Sequence, residues 1–317
     1  MNRLFQFSLL FVIFFSIQSI SFSKNDTTGV AFIAYWSIGD SYSYEITKYT
    51  QQWKGDELVK FDSSSYSAEF LVIDSTETSY QIKWKYTHEL FRSQVVDQVL
   101  LQSLNVKPIL EIIYSTDEYG EFVGIDNWEE VRDAVNEIFE TLTPILVEGK
   151  ESGPAIQQVL LQMKNTYQSK IGIEAFVVPE LKLLHFPFGA SLEVDRVYEY
   201  EDSLPNLFGN EPVDAKGKLY LDEVDFEDEY CLLIQEVQLE ELSSKSMIMD
   251  FFKLSGLDSE EFEKVVGEAV LKINDYNKFG VYYYPGVVDF IHTTRESYFQ
   301  YLDDEASRRD TVIILLK

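Results

Sequence analysis

Between Gly39 and His88 the side chains alternate with a period of two, and no other stretch constrains the fold as tightly. In GDSYSYEIT, Tyr42, Tyr44 and Ile46 fall on one side while Ser43, Glu45 and Thr47 fall on the other. In YQIKWKYTH, Tyr80, Ile82, Trp84 and Tyr86 alternate with Gln81, Lys83, Lys85 and Thr87. Successive side chains of a strand point to opposite faces. The pattern therefore predicts antiparallel strands with one buried, aromatic face and one wetted face. Polar turns around Lys54-Gly55-Asp56 and over DSTETS (Asp74–Ser79) flank a further strand, Tyr66–Ile73, and together these predict a β-meander.

Composition narrows the class of protein. With 45% hydrophobic and 15% aromatic residues, the 317-residue chain is too apolar to be disordered. Its 54 Asp and Glu against 26 Lys and Arg leave a formal charge of −28. That field would repel a polyanion, so no nucleic-acid partner is expected. The one cysteine, Cys231, lies in YCLLIQEVQL, which reads as a strand with Leu233 on the same face. A lone Cys cannot make an intramolecular disulfide, and this one is expected to be an inert buried thiol. The fold must then be held by its apolar core.

Residues 1–23 have the anatomy of a secretory signal peptide: Arg3, an apolar run from Leu4 to Phe15, and small residues at Ser21 and Ser23 before Lys24. Gln6, Ser8, Ser16 and Gln18 interrupt the run, which argues against a membrane-spanning helix. The expectation is an exported protein, periplasmic or secreted, with no transmembrane segment after cleavage.

Helical signals follow the meander. Asp126-Asn127-Trp128-Glu129 resembles a capping box ahead of Val131, Val135, Ile138, Phe139 and Leu142, which share one helical face. Pro154 suits the first turn of another helix, and Asp258-Ser259-Glu260-Glu261 opens a third, expected to carry Phe262, Val265, Val266, Ala269, Val270 and Ile273. Shorter helices are expected near 93–104 and 244–254. Hairpins are expected at 110–125 and 281–292. A second β-rich region runs from Gly189 to about Leu242, and Gly39, Ser41 and Tyr80 recur as Gly189, Ser191 and Tyr230 at an offset of 150. An internal duplication and chance recurrence both account for so few identities. The acidic run Asp222–Glu229 reads as a hairpin tip, and Thr311–Leu316 as a buried strand. The organisation is thus a signal peptide (1–23), a first meander with helices (24–188) and a second (189–317), either as separate sheets or as halves of one sheet. The fold class is α+β: a large curved antiparallel sheet with helices packed on one face.

That arrangement is similar to the half-barrel of periplasmic lipoprotein carriers, at the level of fold. WSIGDSYSYEI (Trp36–Ile46), LLHFPFG (Leu183–Gly189) and SLPNLFGNEPVDAKGKLYLDEVD (Ser203–Asp225) also resemble a group of exported proteins from Bacteroidota-type bacteria. This second resemblance implies export and no activity.

Candidate chemistry is sparse. Gly39-Asp40-Ser41 and Asp289-Phe290-Ile291-His292 match the opening and closing strings of one class of Ser hydrolase, with Ser41 as nucleophile, His292 as base and Asp289 to orient it. Ser41 leads straight into a strand, however, and on a strand Asp289 and His292 would point to opposite faces. His88, His185 and His292 lack ligand partners at helical spacing, and Asp275–Gly286 departs from a calcium loop at its fifth and twelfth positions, so no metal is expected. No phosphate-cradling glycine loop is present and no cofactor is expected. What remains is a non-enzymatic exported protein binding an apolar or amphipathic ligand (a lipid or other apolar small molecule) or an envelope partner between sheet and helices. Trp36, Tyr44, Trp84 and Tyr86 are its candidate contacts. The alternatives are a structural or interaction module with a packed interior, and the Ser41–Asp289–His292 hydrolase.

Overall fold

The computed structural model describes residues 29–86, 111–147, 167–176, 179–204, 212–255 and 267–317, with isolated positions 157, 161, 164 and 165. The first strands are β1 (Gly29–Ala31), β2 (Ser41–Lys54), β3 (Glu57–Ser75), β4 (Ser79–Tyr86), β5 (Glu111–Asp117) and β6 (Phe122–Ile125). Helices α1 (Trp128–Val147), α2 (Lys170–Phe176) and α3 (Pro179–His185) follow. The chain continues through β7 (Ser191–Glu193), β8 (Tyr198–Leu204), β9 (Val213–Asp225) and β10 (Tyr230–Leu239). It ends with α4 (Glu241–Ser255), β11 (Val270–Tyr282), β12 (Val287–Tyr301) and β13 (Asp304–Leu316).

Eleven of these strands form one open antiparallel sheet in the order β6-β5-β4-β3-β2-β13-β12-β11-β10-β9-β8. Neighbours in sequence are neighbours in the sheet except at one place, where β2 pairs with β13 and Ile46 lies opposite Ile314. Strands from the early and late parts of the chain meet there. A two-stranded ribbon, β1 with β7, is not hydrogen-bonded into the large sheet, but its Val30 and Leu192 pack into the same core.

Alternation decides which face is buried. Tyr44 and Ile46 of β2 are buried while Ser41 and Ser43 are exposed, and Ala68, Phe70 and Val72 of β3 continue the buried row. Ile82, Trp84 and Tyr86 of β4 are almost entirely enclosed. Pairing carries this inward face across the sheet through Ile314, Ile291, Phe279, Leu233 and Leu221. Val131 and Val135 of α1, Ile173 of α2, and Leu181 and Leu184 of α3 belong to the same core cluster. Met247 of α4 packs with Val213, Ala215, Val237 and Leu239 in a second one.

Two helix expectations change. Asn127 takes the N-terminal cap of α1, its carbonyl accepting from the Glu130 and Val131 amides. Its side chain does not cap the helix but accepts from the Ile113 amide at 2.9 Å, which ties the helix start to β5. Val270 and Ile273, expected on one helical face, lie in β11 and point to opposite sides of the sheet, since an interval of three is odd against a period of two. Short apolar runs fit both periods, and pairing with β12 settles this one as strand. The expected helix near 93–104 and residues 258–266 of the third helix lie outside the described residues. Of the helix expected from Pro154, positions 157, 161, 164 and 165 are described, all helical.

Candidate functional site

Helix α3 is two turns long, with Pro179 at its start, where the missing amide hydrogen costs nothing. Pressed onto the sheet, it buries Leu181 and Leu184 together with two polar residues, Glu180 and His185. The Glu180 carboxylate accepts three hydrogen bonds from three adjacent strands. Tyr66 and Tyr86 donate to Oε1 at 2.8 and 3.0 Å, and Lys48 donates to Oε2 at 3.3 Å. Burial, reinforced by the negative charge of Glu180, pushes both phenols well above their ordinary pKa, so they stay protonated donors. Lys48 also lies over the Tyr66 ring, 5.3 Å from its centroid.

His185 sits 2.7 Å from the Gly120 carbonyl through Nδ1 and 2.8 Å from the Tyr114 hydroxyl through Nε2. A carbonyl can only accept, which places the proton on Nδ1 and leaves Nε2 to accept from Tyr114. Burial lowers the imidazole pKa to about 4, so the ring is neutral. Trp36, Phe70, Tyr114, Phe122 and Phe188 surround it edge-on or tilted. With both nitrogens engaged, this histidine joins α3 to β5 and to the β5–β6 turn and has no free nitrogen to act as a base.

Beyond Lys48 the inward face turns polar. Thr50 donates to Asp310 at 2.7 Å, and Arg308 holds the same carboxylate through two bonds of 2.7 and 2.8 Å. Arg295 forks onto Asp275 at 2.7 and 2.6 Å, and Asn277, Gln235 and Tyr200 extend the network towards β8. Further along the same strands the inward residues are Ala306, Phe299 and Leu271. Two adjoining depressions follow this change. A polar groove of about 310 Å³ is lined by Lys48, Thr50, Lys60, Asp62, Arg308 and Asp310 among others. A more apolar pocket of about 610 Å³ is lined by Val59, Leu271, Phe299 and Ala306 among others. Gln52 and Arg308 line both. Such a surface can hold a molecule with a polar head and an apolar tail.

The residues singled out in the sequence lie elsewhere. Ser41 is exposed at the start of β2 and donates to Glu69 at 3.0 Å. His292 is exposed and pairs with Ile313, which pairs with Thr47. Ser41 is six residues from Thr47, so it stands about 20 Å from His292 along the strand direction. Asp289 sits at the irregularity in the β11–β12 register, next to Tyr230, whose phenol is pushed up to about 12 by burial and then by the Asp289 charge. The structure does not bring the three together. Trp36, Tyr44, Trp84 and Tyr86 are packed in the core, and none lines the groove or the pocket. Trp36 donates its indole N–H to the Gly286 carbonyl at 2.7 Å, Tyr44 stacks on Trp84, and the Trp84 indole N–H has no partner at hydrogen-bonding distance. Cys231 is buried, with its thiol pushed up to about 12. Among the described residues no three His, Cys, Asp or Glu side chains gather as a metal site, and no helix is long and apolar enough to cross a membrane.

No protein-family model matches the chain, and no curated protein matches it. Among solved structures, one of lipovitellin concerned with lipid–protein interactions aligns at 10% identity and a TM-score of 0.42, over 89% of this chain and 25% of that one. The attachment invasion locus protein Ail of Yersinia pestis aligns at 6% identity and a TM-score of 0.15, over 89% of this chain and 100% of that one. The chain thus spans a quarter of the lipovitellin chain it aligns with. At such TM-scores neither likeness identifies a shared fold or carries a function to this chain.

Proposed function

We propose that this is an exported, non-enzymatic protein that holds an amphipathic ligand on the inward face of its large sheet. The observation that carries the reading is the junction at Gln52 and Arg308, where a polar groove runs into an apolar pocket on one sheet face. Two helices touch that same face: α3 through Glu180 and α4 through Met247. The occupied nitrogens of His185 and the distance between Ser41 and His292 favour binding over hydrolysis. Export rests on the n-region, apolar run and cleavage site in residues 1–23.

Native mass spectrometry of the gently purified protein should find an amphiphile bound, and titration with a fluorescent acyl probe should saturate. Phe299→Asp, which places a charge in the apolar pocket, should weaken that binding about tenfold or more. A wild-type protein that retains no amphiphile and takes up no acyl probe overturns the reading. For export, the intact mass of the protein from its native host should correspond to a chain beginning at Lys24. A mass that retains residues 1–23 overturns it.

A further inference from the structure

Resting on that amphiphile reading, we infer that the ligand's head is a neutral, hydroxyl-rich group, such as the glycosyl head of a glycolipid, and not a phosphate or carboxylate. Three cations reach the polar groove, and each already has its own carboxylate. Lys48 is bound to Glu180 at 3.3 Å, Lys60 to Asp62 at 2.8 Å and Arg308 to Asp310 at 2.7 Å. An anionic head would have to compete with these carboxylates, one of which, Glu180, is buried and held by two phenols. The groove therefore offers no surplus positive charge.

It does offer hydrogen-bonding capacity of both kinds. Lys48 and Lys60 each carry three donors, of which the ion pairs use only part, and Arg308 retains guanidinium N–H groups beyond the two bound to Asp310. The carboxylates of Asp62 and Asp310 have lone pairs to spare, and Thr50 and Ser64 add hydroxyls. Closely spaced donors and acceptors suit a group whose every oxygen both donates and accepts. A sugar ring or polyol does this, whereas a phosphate only accepts at neutral pH. A groove of about 310 Å³ lies at the small end of ligand sites, the size for one compact head, with the tail directed to Phe299 and Leu271.

The test compares a monoglycosyl diacylglycerol, a phosphatidylglycerol with the same chains and the free hexose, each titrated against the full-length protein at low and high salt. The glycosyl lipid should bind at least about tenfold more tightly than either competitor, with little salt dependence. Asp62→Asn, at an exposed position where folding is not at risk, should weaken the glycosyl lipid several-fold. The same change should strengthen phosphatidylglycerol, because it leaves Lys60 without its counter-charge. Tighter, salt-sensitive binding of phosphatidylglycerol by the wild type overturns the head-group assignment while leaving the amphiphile reading intact. Equal affinity for the free hexose overturns the lipid-linked form of the ligand. Binding of no amphiphile overturns both readings together.

Discussion

Glu180 accepts from Lys48 on β2, Tyr66 on β3 and Tyr86 on β4, so one carboxylate clamps three adjacent strands to α3. Glu180→Ala would leave two phenols and a largely buried ammonium without an acceptor, and should lower stability to urea by about 3 kcal/mol. Glu180→Gln keeps an acceptor for the phenols and should cost distinctly less. Equal midpoints for wild type and the Ala variant would show that the clamp contributes nothing. His185 predicts a pH dependence with a definite sign. The unfolded chain protonates this ring near 6.5, whereas the folded protein keeps it neutral down to about 4. The unfolded state therefore binds more protons between those values. The contribution of His185 is complete above about pH 6.5 and is lost as the pH falls towards 4, by about 3 kcal/mol across the window. Urea midpoints at pH 7 and pH 4.5 should fall less for His185→Gln than for wild type. Parallel falls would contradict a neutral buried imidazole. Neither residue was legible in PELKLLHFPF, because an acid in the first turn and a base in the last are equally what a solvated helix shows.

Among elements, the edge strand β8 depends on a glycine of its neighbour. Tyr200 lies directly opposite Gly217, and a Cβ at that position would overlap its ring. The empty space lets the ring lie flat on β9 and the hydroxyl accept from Gln235 at 2.6 Å. Gly217→Ala should displace the ring, break that bond and destabilise β8 locally by about 1–2 kcal/mol. Amide exchange should then speed up over 198–204 while β2 and β13 keep their protection. Unchanged exchange in β8 would show that the ring has another place to go. The long-strand elements were readable because alternation is a local property that pleating enforces residue by residue. β11 was not: its start lies in an apolar run that satisfies the helical period as well, and only its register against β12 distinguishes the two. The seven-residue helices α2 and α3 are too short to leave a period at all.

At the scale of the whole molecule, β13 lies between β2 and β12, so the late strands can leave the sheet only by breaking the join with the early ones. All four tryptophans, Trp36, Trp53, Trp84 and Trp128, belong to the early part of the chain. Tryptophan fluorescence is therefore weighted towards that part and its contacts with the late strands, while far-ultraviolet circular dichroism reports every strand. The two denaturation curves should coincide. Separate midpoints would mean that the early and late strands unfold independently despite their shared edge.

The sequence by itself determined the strand faces, the antiparallel class and the absence of a disulfide within these residues, because each follows from a local period or a simple count. The tertiary structure alone decided that β2 meets β13, that α3 carries its two polar residues into the core, and that a polar belt on the inward face gives way to an apolar patch. That belt is assembled from residues as far apart as Thr50 and Asp310, which become neighbours only once strand register is set. Register is a property of the whole sheet, and no window of sequence contains it.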